Sequence, residues 1–106
     1  MNQSDELEAV CAQLARRLEG SRDASDLRAI YLELFPIVAQ LRGLVHESVT
    51  SFDNVATETV QQQLAGTEAI ARRVALDMRL ASPAALKLGL QTALVHVQRT
   101  MELLRG

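Results

Sequence analysis

Few side chains in this chain are suited to chemistry. Two histidines, His46 and His96, and one cysteine, Cys11, are the only residues of their kind among 106. Carboxylate-bridged metal sites in helical bundles take Glu-x-x-His from each of two helices, and no Glu-x-x-His occurs here. His46 and Glu47 are adjacent, so on a helix they point about 100° apart and cannot chelate together. A single cysteine excludes an intramolecular disulfide and any Cys-based zinc site. Cys11 falls on the apolar stripe of its segment and reads as a small hydrophobe, not a nucleophile. The glycine-rich phosphate cradles and the Gly-x-Ser-x-Gly elbow are absent. The expectation is a protein with no catalytic residue, no cofactor and no metal.

One chemistry needs only a single histidine. Histidine phosphotransfer domains are four-helix bundles of about this size, so a signalling bundle using His46 is the alternative function. Those domains carry Lys three residues after the histidine and Gly four after it. Here the positions hold Val49 and Thr50, and the likeness is confined to size and helix count. Both histidines flank their apolar stripes, which predicts half-solvated boundary residues.

Charge narrows the partners. Eleven basic and thirteen acidic residues leave a net charge of −2, and nucleic-acid binders usually show a basic excess. The distribution is uneven: residues 1–26 hold six acids and three bases, residues 67–106 three acids and six bases. The basic third is expected to face the acidic first third inside one fold. Arg72, Arg73 and Arg79 make a basic patch, expected to be a solvated surface pairing with acids of the first helix. The sharper reading of that patch is a groove for an anionic partner. Thr57, Thr59, Gln61, Gln62 and Gln63 read as a weakly packed helix start or a polar pocket lining. The polar start Met1-Asn2-Gln3-Ser4-Asp5-Glu6 is no signal peptide, and no apolar run is long enough to span a membrane. A cytoplasmic location is expected.

These residues must be positioned by helices. Apolar residues make up 48% and aromatics only 3%, with 17 Leu and 15 Ala, which favours helix over β-sheet. The first helix starts at Ser4 as N-cap and carries Leu7, Val10, Cys11, Leu14 and Leu18 before Gly20 stops it. The second begins near Ser25 and runs to residues 48–50. It shows three apolar rows seven residues apart: Leu27, Leu34, Leu41; Ile30, Ile37, Leu44; and Tyr31, Val38, Val45, Phe52. A seven-residue repeat implies supercoiled bundle packing. Pro36 interrupts this pattern and predicts a kink, with a break into two short helices as the alternative. A turn near 50–54, capped by Ser51 or Asp53, opens a third helix with Val60, Leu64, Ile70, Ala71, Val74 and Met78 on one face and Gly66 weakening its middle. Ser82-Pro83 is an N-cap followed by proline at the first helical position. The fourth helix carries Leu86, Leu90, Ala93, Leu94, Val97, Met101 and Leu104. The prediction is an all-α, four-helix, up-down-up-down antiparallel bundle, kinked at Pro36, with residues 1–106 as a single domain.

The rows of the second helix span about 160°, wider than the stripe of an ordinary surface helix. That helix is either central or shared with a second chain. Leu34, Val38, Leu41 and Val45 are expected to be nearly fully buried. Leu76 and Leu80 point away from the main face of the third helix, and Leu88 and Val95 away from that of the fourth. Leu76, Leu80 and Leu88 flank the Ser82-Pro83 turn, which either folds back over them, leaves them as scattered surface apolar residues, or presents them as an interface. The expected function is therefore non-enzymatic: a small bacterial adaptor, regulatory or chaperone-like module that binds itself and another protein. Its candidate interface is Leu76, Leu80, Leu88, Val95, Arg72 and Arg73, with neither nucleic acid nor membrane as partner.

Overall fold

The computed structural model describes residues 3–49, 54–77 and 82–105. They form four helices: α1 (Gln3–Gly20), α2 (Ala24–Val49), α3 (Asn54–Asp77) and α4 (Pro83–Arg105). The molecule is an all-α bundle in which α1 packs on α2 and α4, and α3 packs on α2 and, most extensively, on α4. α2 and α4 also touch across the bundle, whereas α1 and α3 do not meet. The cross-section is thus a lozenge with α2 and α4 on its short diagonal, and the extents are 43 × 28 × 16 Å. α2 is central, one of the two readings its wide apolar face allowed.

Local signals account for three of the helix ends. α2 begins at Ala24, one residue before Ser25, and Asp23 caps it: its Oδ1 accepts the Asp26 N–H at 2.8 Å and its carbonyl accepts the Leu27 N–H at 3.2 Å. Asp23 serves because its carboxylate reaches a first-turn donor and suits the positive helix end. Ser82 caps α4 as expected: its Oγ accepts the Ala85 N–H at 3.3 Å, with Pro83 at the first helical position. Each cap is expected to contribute about 0.5–2 kcal/mol. Chemical denaturation of Asp23→Ala and Ser82→Ala measures it, and an unchanged midpoint for either removes that residue as a cap.

α1 ends where Ser21 turns back: its N–H bonds the Leu18 carbonyl and its hydroxyl donates to the Arg17 carbonyl at 2.8 Å. The ammonium of Lys87, the only lysine, then donates to the carbonyls of Glu19 and Ser21 at 2.9 and 3.1 Å. A cation is favoured there, and this one ties the end of α1 to α4. α1 begins at Gln3, one residue before the expected Ser4; the Ser4 side chain, the turn near 50–54 with Ser51, Phe52 and Asp53, and Met78 lie outside the described residues. α2 is continuous through Pro36, so the two-helix alternative falls. Proline removes the donor for the Leu32 carbonyl, and both residues are exposed, where water can take that bond.

The core is built from the expected rows. Leu7, Cys11, Leu14 and Leu18 of α1 meet Leu27, Ile30, Leu34, Ile37, Leu41 and Val45 of α2, with Leu90, Ala93, Leu94, Val97 and Met101 of α4. Val38 and Leu44 of α2, Ile70 of α3 and Leu104 of α4 are only half-buried, and Val10, expected on the α1 stripe, is 45% exposed at the margin of that face. The seam between α3 and α4 is close because small and polar residues line it. A β-carbon on Gly89 would come within 3.1 Å of Val74 Cγ2. Thr67 and Thr100 face one another at 3.5 Å, both fully buried. Each hydroxyl donates to the carbonyl four residues back, Gln63 and His96 respectively, so neither is left unsatisfied. Gly66, expected as a weak point, lies opposite His96 in this seam, and α3 runs through it unbroken.

Candidate functional site

The residues capable of chemistry do not converge. Cys11 is fully buried, and burial, aided by the Glu8 charge, pushes its thiol up to about 11. It is therefore a neutral thiol at physiological pH and no nucleophile. His96 is half-buried, with Nδ1 at 3.1 Å from Gln63 Nε2 across the α3–α4 seam. His46 is exposed near the end of α2. Among the described residues, no three of His, Cys, Asp and Glu come together as metal ligands, and no helix is long and apolar enough to cross a membrane. Thr59, Gln61 and Gln62 are exposed, while Gln63 packs inward on His96; the Thr57 side chain lies outside the described residues.

The surface apolar residues are more informative. Leu76 is 74% exposed, Leu88 65% and Val95 43%. The turn at Ser82 therefore does not bury Leu76 and Leu88 locally. Leu80 and Arg79 lie outside the described residues. The expected interface divides between two sides of the bundle. Arg72 borders the groove between α2 and α3, and Leu76 follows it by one turn on the same ridge. Val95 lines the groove between α1 and α4, and Leu88 lies two turns before it on α4. Arg73 is exposed and turned about 100° from Arg72, away from the α2–α3 groove. Arg72 makes no ion pair among the described residues. The expected pairing with the first helix fails for it because α1 and α3 stand at opposite corners.

The α2–α3 groove was not anticipated as a whole. It has a volume of about 300 Å³ and is walled by Tyr31, Leu34, Phe35, Val38 and Ala39 of α2 and by Ala71 and Ala75 of α3, with Arg42, Glu68 and Arg72 as its polar members. Tyr31 and Phe35, two of the three aromatic residues in the chain, meet edge to face at 4.8 Å. Arg42 and Glu68 form an ion pair across the groove. The seam stays open because α3 offers two alanines where α2 offers large side chains, which leaves Val38 half-buried and Phe35 52% exposed. Leu32, 61% exposed, continues the α2 ridge of Phe35 and Ala39. Leu32 and Phe35 belong to none of the seven-residue rows. Their signal in the sequence is crowding: Ile30-Tyr31-Leu32 and Leu34-Phe35 hold more apolar residues than one helix face can bury.

The fold and these surfaces define the class: an all-α four-helix bundle with apolar residues left outside its core. No family model, curated protein or solved structure matches the chain.

Proposed function

We propose that this chain is a non-enzymatic protein–protein interaction module, of adaptor, regulatory or chaperone-like type, that acts as a homodimer in a bacterial cytoplasm. The observation that carries the reading is the placement of large apolar side chains outside a complete core: Leu76 and Leu88 are each more than half exposed. Leu76 extends the apolar α2–α3 groove and Leu88 shares the outer stripe of α4 with Val95, and exposed apolar patches mark partner contacts. A free buried thiol suits a reducing compartment. For self-association the favoured surface is the outer stripe of α4, where Leu88 and Val95 lie two turns apart. A stable dimer buries on the order of 800 Å² per partner around an apolar centre.

Sedimentation equilibrium of wild type and Leu88→Glu tests this, with circular dichroism on both. The expected result is a wild-type dimer and a monomeric, fully helical variant, because a carboxylate at the centre of the interface would be desolvated without a partner. A wild type that stays monomeric at tens of micromolar ends the homodimer reading. His46, exposed and without a partner among the described residues, supports the phosphotransfer alternative. Acid-labile phosphate on His46 after incubation with a phosphodonor would favour it over the interaction module.

A further inference from the structure

We infer that the α2–α3 groove receives one amphipathic helix of a partner protein, seated by its apolar face and held by acidic side chains on Arg72 and Arg28. The inference rests on the interaction-module reading and names the chemistry of the partner, at a surface separate from the α4 stripe. The groove supplies what helix-in-groove recognition requires: a long apolar floor with aromatic anchors and polar groups at its edges. From Tyr31 to Arg42 it spans about 16 Å at 1.5 Å per residue, three turns of a bound helix. Three turns present apolar residues at i, i+3 or i+4, and i+7, enough to meet Val38, Phe35 and Leu32 in succession.

Charge decides which helix fits. The one acid of the groove, Glu68, is already taken by Arg42. Arg72 on the α3 edge has no ion-pair partner among the described residues. Arg28 on α2 has none either, and lies four residues before Leu32 and seven before Phe35, on the same ridge. The groove is thus apolar, with one free guanidinium, Arg72, on its lining and a second, Arg28, about one turn beyond its Tyr31 end. Guanidinium groups pair bidentately with carboxylates, so a helix with Asp or Glu flanking its apolar stripe is complementary and one with Lys is repelled.

The probe is a fluorescein-labelled, end-capped 18-residue helix with leucines at i, i+3, i+4 and i+7 and glutamates beside them, compared with the same peptide carrying lysine for glutamate. Anisotropy is read on wild type, Arg72→Glu, Phe35→Ser and Leu88→Glu, with helicity checked for each. The acidic peptide is expected to bind wild type and Leu88→Glu saturably and alike. Its affinity should fall about tenfold or more in Arg72→Glu and in Phe35→Ser, and the lysine peptide should bind wild type at least tenfold more weakly. Arg72 is exposed and its replacement leaves the core alone, so a loss there is not a folding defect. Failure of the acidic peptide to bind, or equal binding of both peptides, overturns the inference. So does a wild-type dimer that dissociates on Phe35→Ser, which would make a second copy the occupant and leave the interaction-module reading standing.

Discussion

Leu41→Ala is expected to lower the free energy of unfolding by about 2–5 kcal/mol, the range for truncating a fully buried leucine. Leu41 has no exposed surface and belongs to α2, which with α4 is one of the two helices that touch all the others. A cavity at this point loses contacts on several sides at once, and close-packed neighbours relax only partly. Set against a typical domain stability of about 5–15 kcal/mol, the loss is large enough to move the urea midpoint well clear of error. Urea titration by circular dichroism makes the measurement. A loss below about 0.5 kcal/mol would show that α2 is not the core helix.

The second large effect is alkaline. Burial, and then the neighbouring Glu8 carboxylate, raises the Cys11 thiol in the folded protein to about 11. A free thiol in an unfolded chain ionises near pH 8.5. Below that pH both states hold the proton and Cys11 adds no pH dependence. Above it the unfolded chain releases a proton that the folded chain keeps, so stability falls with rising pH until the folded thiol also ionises near pH 11. At about 1.4 kcal/mol per pH unit, the loss reaches about 3 kcal/mol at pH 11. Burial raises Tyr31 as well, which adds a loss in the same direction at higher pH. The chain has one cysteine, one tyrosine and one lysine, so few groups titrate there. Urea midpoints from pH 8 to pH 11 should fall more steeply for wild type than for Cys11→Ala. Parallel curves would show that the thiol is not the cause.

The site was less legible than the fold. Leu76, Leu88 and Val95 are flagged by their position opposite their own helix's stripe, and all three are exposed. What their spacing could not convey is that Arg72 and Leu76 border one groove while Val95 lines another. A helical wheel locates a residue relative to its own axis and carries no information on which neighbouring helix lies beside it. Val38 makes the point from the opposite direction. It lies in a seven-residue row with Tyr31 and Val45, which are buried, yet Val38 is half-open because Ala71 and Ala75 stand across from it. Asp23 was missed as the cap of α2 for a smaller reason: Asp23 and Ser25 both have side chains that accept from a helix's first turn, and only the backbone conformation chooses between them.

By itself the sequence determined the helices, the Ser82-Pro83 boundary and most of the core rows. These depend on backbone hydrogen bonds within a few residues and on the 3.6-residue period, both local properties of the chain. Tertiary structure alone decided that α2 and α4 lie on the short diagonal, that α1 and α3 never meet, and that the large side chains of α2 face two alanines of α3. Those outcomes depend on side-chain volumes paired across helices some forty residues apart, where the filling of one seam fixes how far another can close. The groove, with its aromatic pair and the free Arg72, is the space that this mismatch leaves.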